Sequence, residues 1–366
     1  MSRILKSPSK YVQGFNTLEE IDKYLEGMGN KLLVIISESG IKRIKPSFDN
    51  CFKGKEDYEL RYEIFRGEST EEAIMSMANI VKENDLTAVI GVGGGKIIDT
   101  AKAVAHYSEV PMVIVPTVAS TDSPCSSLSI LYKDNGEFDR YLFLSKSPDM
   151  VLVDTNVIVK APSSLLVAGM GDALATYFEA RACRNSGSNN QVAGKPTKTA
   201  TAMAAMCWDI LKKDGAKSIK AIENKVTTEA VENIVEVNTY LSSVGFESGG
   251  LGAAHAIQKG FTFIPELHNQ YHGNKVAFCT IAQLVLENAA EEELYDVISF
   301  CDNVGLPICF SDMGYDEVDN ELLMKASEKA CAEGSTIHNM PFEVKPYMVY
   351  SALLTADTIG KEFKNQ

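Results

Sequence analysis

Three of the five histidines fall in one stretch, "GGLGAAHAIQKGFTFIPELHNQYHGNKVAF" from Gly249 to Phe278, as His255, His268 and His272. Imidazoles gathered in this way invite a metal-ligand reading. His268 and His272 are four apart, which on a helix places both on one face, as in metalloprotease pairs. Here Asn269 stands where the protease needs a general-base glutamate, and Gly273 follows His272 at once. The protease reading fails, and each histidine stays open as a ligand or as a hydrogen-bonded structural residue.

Three further segments carry candidate chemistry. "GVGGGKIIDTAKAVA" (Gly91 to Ala105) departs from the dinucleotide fingerprint at Lys96 and from the P-loop at Ile97. Its glycines Gly93, Gly94 and Gly95 would still let a pyrophosphate approach the backbone at a helix start, where unpaired N–H groups and the positive dipole end favour an anion. "PTVASTDSPCSS" (Pro116 to Ser127) combines hydroxyls with Asp122, in a loop expected at the carboxyl edge of a sheet, where ligands of open α/β folds sit. "AGMGDALATYFEA" sets Asp172 between glycines and a helical stretch, a position that reads by itself as a helix N-cap. Glu38 follows a β-branched run, where a carboxylate can accept hydrogen bonds from an adenosine ribose and repel a 2′-phosphate, favouring NAD over NADP.

The elements that must position these residues alternate through the first half of the chain. "KLLVIIS", "YEIFRG", "TAVIGVG", "PMVIVPT" and "MVLVD" read as strands, with helical stretches between them, as in a mostly parallel sheet. "STEEAIMSMANIVKEND" opens a helix with Ser69 or Thr70 as N-cap and acids in its first turn. Two strand-like runs around Asn135-Gly136 predict an antiparallel hairpin flap. From about residue 162 the texture turns alanine- and leucine-rich, so the expected division is an α/β domain over 1–161 and a helical domain over 162–366.

Composition bounds the function. With 366 residues, 45% hydrophobic and 23% charged, the chain has the make-up of a globular protein of one large or two medium domains. A formal net charge of -14 disfavours nucleic acid and anionic membranes as partners. No apolar run approaches the roughly 20 residues of a bilayer span and no signal peptide is evident, so a cytoplasmic location is expected. Eight scattered cysteines without a CxxC pair argue against a thiolate zinc site and a disulfide framework.

Taken jointly, "GVGGGKIIDTAKA", "PTVASTDSPCSSLSILY", "GMGDALATYFEA", "ESGGLGAAHAI" and "HNQYHGNKVAF", in this order over positions 90 to 280, resemble the glycerol dehydrogenases of the metal-dependent, iron-containing (group III) alcohol dehydrogenase superfamily. The resemblance implies a dehydroquinate synthase-like fold: a Rossmann-like nucleotide-binding domain, a helical metal domain and an active site in the cleft. It implies zinc on Asp172, His255 and His272, a substrate-facing Asp122, and no ligand role for His268. NAD contacts map to Glu38, Gly93, Gly94, Gly95, Lys96, Asp99, Thr117, Ser120, Ser126, Leu128 and Tyr132. Iron-type relatives carry a histidine one turn after the aspartate; here it is Thr176, which favours the zinc branch and leaves three protein ligands with an open position. Cys279, the Gln258-Lys259 pair and Glu38 depart from the family's usual residues. The expected activity is NAD-dependent oxidation of glycerol and related 1,2-diols by a homo-oligomer, anywhere from dimer to octamer. The alternatives are a 2-oxo or 2-hydroxy acid oxidoreductase of the same superfamily and a catalytically silent nucleotide-binding protein.

Overall fold

In the computed structural model, which describes residues 2–365, the chain divides into two units that each contain discontinuous segments. One comprises Lys6–Pro162 and Ala221–Ser243, the other Met1–Leu5, Ser163–Lys220 and Val244–Gln366. A single cut after residue 161 therefore misplaces two segments. The chain start carries too little apolar pattern to reveal a partner, and its Arg3 pairs with Lys195 in an isolated parallel bridge of the helical unit. Residues 221–243 are helical in texture, yet they pack with the sheet.

The α/β unit is built on six parallel strands, β1 (Lys10–Gly14), β2 (Lys31–Ser37), β3 (Glu59–Phe65), β4 (Ala88–Gly93), β5 (Met112–Pro116) and β8 (Met150–Asp154), in the order β1-β8-β5-β4-β2-β3. The five expected strands form within a few residues of their predicted limits. β1 is an addition: "KYVQG" is short and half-buried throughout, so it lacks the apolar signature of the central strands. It is recruited as an edge strand by parallel pairing with β8. Helices α1 (Glu38–Phe52), α2 (Glu71–Glu83) and α3 (Gly95–Ser108) connect the strands, and α4 (Thr155–Ile158) follows β8. Thr70 is the N-cap of α2, its hydroxyl accepting from Ala73 N–H at 3.3 Å. Val34, Ile36, Ile90, Val113 and Leu152 form one face of the sheet's core with Leu18 and Phe48.

The flap is a two-stranded antiparallel hairpin of β6 (Leu128–Tyr132) and β7 (Phe138–Phe143). Lys133 N–H donates to Glu137 O at 2.8 Å, and Gly136 takes a left-handed φ of 82°, which glycine adopts without steric cost.

The helical unit contains α5 (Ser163–Ser186), most of α6 (Lys198–Glu223), α9 (Ala253–Gly260), α10 (His272–Leu286), α11 (Glu291–Val304), α12 (Asn320–Ala330) and α13 (Pro346–Lys364). Between α6 and α9, α7 (Glu229–Glu236), a π-helical turn (Val237–Leu241) and α8 (Ser242–Gly249) follow one another without a break. No helix among the described residues is long and apolar enough to cross a membrane.

Helices α5 and α10 approach so closely that two glycines are sterically required. A Cβ on Gly171 would lie 2.3 Å from the Gly273 carbonyl oxygen, and one on Gly273 would lie 1.7 Å from that of Ala168. This contact corrects the expectation for Asp172, which is not an N-cap but sits in the interior of the 24-residue α5. Gly171 marks the place where two backbones meet, rather than a helix start.

Candidate functional site

Asp172, His255 and His272 converge in the helical unit from α5, α9 and the first residue of α10. The Asp172 Oδ1 atom lies 3.3 Å from His255 Nε2 and 3.2 Å from His272 Nε2. Four ligands about 2.0–2.1 Å from a tetrahedral zinc are separated by about 3.3 Å, so the two Asp172 contacts have the edge lengths of such a polyhedron. Asp172 is buried and His255 nearly so, whereas the His272 side chain is 40% exposed, which gives the cluster one open side. One carboxylate and two imidazoles suit zinc and other divalent first-row ions alike.

Electrostatics concentrate positive charge on this point. Burial alone would raise the Asp172 pKa, but the His272 charge and hydrogen bonds from both histidines hold it well below the usual carboxylate range. Burial alone would lower the His255 pKa, but the Glu179 and Asp172 carboxylates carry it well above the usual imidazole value. A divalent cation can take the place of the protons that these groups share.

His268 stands apart. It follows a short 3-10 turn (Pro265–Leu267), and its Nε2–H donates to Thr262 O at 2.9 Å in an exposed position. The four-residue spacing to His272 is thus not a helical spacing, because α10 begins only at His272. Thr176 is buried on α5 one turn after Asp172, with its methyl against Gly245.

In the α/β unit, the three glycines of the β4–α3 turn do different work. Gly93 ends β4, and a Cβ there would lie 2.5 Å from the Ile97 side chain. Gly94 is the N-cap of α3 in extended backbone. A Cβ on Gly95 would meet nothing within 4 Å, so α3 starts beside open space at this residue. Helix N-termini of this kind are ready anion sites. Glu38 opens α1 directly after β2, 65% exposed and 3.4 Å from the Arg66 guanidinium.

Ser126 and Leu128 are held by a residue that sequence reasoning passed over. Lys102, fully buried on α3, donates to Ser123 O, to Ser126 Oγ at 3.0 Å and to Leu128 O at 2.9 Å. It thereby ties the hydroxyl-rich loop and the root of the flap to α3. Asp99 is buried one turn earlier, its pKa pushed up to about 6 by burial despite Lys102 and a hydrogen bond from the Ile130 backbone. Thr117 is buried and pairs through its N–H with Gly93 O at 3.0 Å, Ser120 is half-buried, and burial raises the Tyr132 pKa at the end of β6. Asp122 immediately precedes a short 3-10 turn (Ser123–Cys125) without a side-chain bond to it, and its Oδ2 accepts from the Ser242 hydroxyl at 3.5 Å. The signal for Lys102 was present: a lysine on the same helical face as Ile98, Ala101 and Ala105 must satisfy its ammonium indoors.

Residues 8–155 match the model of the iron-containing alcohol dehydrogenase family. A glycerol dehydrogenase of Escherichia coli O6:H1 is 47% identical over 365 residues, covering 99% of both chains. The chain belongs to the glycerol dehydrogenase family. Among solved structures, a probable glycerol dehydrogenase from Sinorhizobium meliloti 1021 superposes with a TM-score of 0.91 at 37% identity over 99% of both chains. The glycerol dehydrogenase of Schizosaccharomyces pombe gives 0.92 at 34% identity over 100% of this chain and 92% of its own. Membership of this family makes the protein an oxidoreductase with a small-molecule substrate, on the parallel-sheet and helical architecture described above.

Proposed function

We propose that this glycerol dehydrogenase family member oxidises glycerol to dihydroxyacetone with NAD, takes related 1,2-diols as well, and holds zinc on Asp172, His255 and His272. The observation that carries the metal assignment is the meeting of one carboxylate oxygen and two imidazole nitrogens within 4.8 Å of one another, with both Asp172 contacts at tetrahedral edge lengths and an open side at His272. A divalent ion held there supplies Lewis-acid polarisation that lowers the pKa of a substrate hydroxyl. Hydride acceptance belongs to the nicotinamide.

The chain's own residues bind, orient and tune. Asp172 brings negative charge into a buried position where it is strongly felt. Asp122 accepts a hydrogen bond from the neighbouring hydroxyl of a vicinal diol, which orients the carbon to be oxidised. The N–H groups at Gly95 and Lys96 receive the pyrophosphate, and Glu38 accepts from the ribose hydroxyls and repels a 2′-phosphate, selecting NAD. Asp99, Thr117, Ser120, Ser126, Leu128 and Tyr132 complete the cofactor wall beneath the flap. All eight cysteines are free thiols, which suits a reducing cytoplasm, and the working form is a homo-oligomer.

The test is a rate comparison on purified enzyme, metal-free and reloaded with Zn2+: glycerol plus NAD beside 2-oxobutyrate plus NADH or NADPH. Zinc-dependent glycerol oxidation is expected. Oxoacid reduction indifferent to metal, with no diol oxidation under any loading, would overturn the proposal.

A further inference from the structure

Glu179 is one of the most buried charged residues in the chain, and sequence reasoning assigned it nothing. It lies on α5 seven residues after Asp172, two turns along the same helix, and its carboxylate hydrogen-bonds to the start of α9. Its Oε1 accepts from Gly252 N–H at 2.9 Å and from His255 N–H at 3.0 Å, and its Oε2 accepts from His255 Nδ1–H at 2.5 Å. Helix α9 has no cap from its own sequence, because Gly252 precedes it. The two N–H groups between those bound by Glu179 are also met from outside, Ala253 and Ala254 both donating to Gln283 Oε1 on α10. Four orphan donors of one helix start are thus satisfied by two side chains from neighbouring helices.

The division between these two side chains is unequal in consequence. Gln283 touches only backbone at α9. Glu179 touches backbone and the His255 ring together, so the carboxylate that locates the helix also sets the ring's orientation about its Nδ1–H bond. A carboxylate only accepts, so Nδ1 carries the proton that Glu179 holds, which leaves Nε2, the atom facing Asp172, as the nitrogen whose lone pair a cation can take up in exchange for its proton.

We infer that Glu179 is the positioning residue of the metal centre, holding His255 in the one tautomer and ring orientation in which Nε2 can ligate a divalent cation. The inference rests on the metal assignment above. Glutamine at this position cannot reproduce the arrangement. If its oxygen faces the two backbone N–H groups, its amide NH2 confronts Nδ1 and drives the proton onto Nε2. Turned the other way, its NH2 faces two backbone donors. Partners of metal-ligating histidines are worth about 10–100-fold in metal affinity.

The experiment measures Zn2+ and Co2+ dissociation constants by chelator competition, and the visible d–d spectrum of the Co2+ form, for the wild type, Glu179→Gln and Gln283→Ala. Circular dichroism and thermal unfolding of the metal-free proteins run alongside. Expected is a 10–100-fold weaker affinity and an altered Co2+ spectrum for Glu179→Gln, with Gln283→Ala losing stability yet binding metal within about threefold of wild type. Equal weakening in both variants would reduce Glu179 to a helix cap and overturn the inference, as would wild-type affinity in Glu179→Gln. If Glu179→Gln does not fold, Glu179→Asp takes its place, and unchanged affinity there overturns the inference. A wild type that takes up neither ion defeats the metal assignment itself, a result read in a different sample from the variants.

Discussion

Replacing Gly171 with alanine tests whether the close approach of α5 and α10 builds the proposed metal site. The new Cβ would lie 2.3 Å from the Gly273 carbonyl oxygen and 2.8 Å from a Leu306 methyl. Ordinary contact begins near 3.4 Å, so the Gly273 backbone must retreat by about 1 Å, and it cannot do so by a rotamer change because the obstacle is main chain. Overpacking of this kind costs about 1–3 kcal/mol. For a unit of this size each kcal/mol lowers Tm by about 2–4 °C, so a fall of roughly 2–12 °C is expected. His272 is the residue next to Gly273, and its Nε2 sits 3.2 Å from Asp172 Oδ1. A shift of about 1 Å exceeds the roughly 0.5 Å within which a site must be held, so zinc affinity should fall more than stability alone accounts for. Thermal unfolding of the metal-free protein and zinc titration of the folded variant at 25 °C read the two effects separately. A Gly171→Ala protein with wild-type Tm and wild-type zinc affinity would refute the claim that glycine is required for this contact.

The other expectations concern individual groups. His255→Ala and His272→Ala should each abolish zinc retention and diol oxidation, while His268→Ala should keep both; elemental analysis after gel filtration decides, and equal metal loss in all three would break the ligand assignment. Gly95→Ala should fold at least as stably as wild type, since its Cβ enters open space and alanine favours a helix by up to about 1 kcal/mol, yet bind NAD at least tenfold more weakly; undiminished NAD affinity by calorimetry would remove the pyrophosphate from this turn. Asp99→Asn should change the pH dependence of folding. Burial raises the folded pKa from 3.8 to about 6, so between those values the folded state holds more proton than the unfolded state, and wild-type stability declines as pH rises. That decline amounts to about 3 kcal/mol and is complete above pH 6. The variant lacks it, so its stability relative to wild type should climb from pH 4 to 6 and then level off; a difference that is flat from pH 4 to 8 contradicts the burial argument.

Legibility in the sequence followed the range of the forces involved. The central strands were readable because they are buried on both faces and therefore continuously apolar, as in "KLLVIIS" and "AVIGVG". Thr70 was readable because a cap acts on its own helix three residues away. The edge strand β1 was not, because what makes "KYVQG" a strand is the β8 backbone some 140 residues later. Asp172 misled for a related reason. Glycine beside it carries the same letter whether it starts a helix or lets another helix touch, and only the α10 backbone tells the two apart.

The sequence by itself determined the alternating α/β half, the helical half, the glycine turn, the hairpin and the inventory of ligand-bearing side chains, all properties of local pattern and residue chemistry. Which side chains meet was decided by the tertiary structure. Asp172 and His255 are 83 residues apart and end 3.3 Å from each other, while His268, only four residues from His272, turns to the Thr262 carbonyl. Lys102 beneath the hydroxyl-rich loop and Glu179 behind His255 emerged only in three dimensions. A buried charge takes its meaning from the partners that make burial tolerable, and those partners come from other helices, loops and strands of the fold.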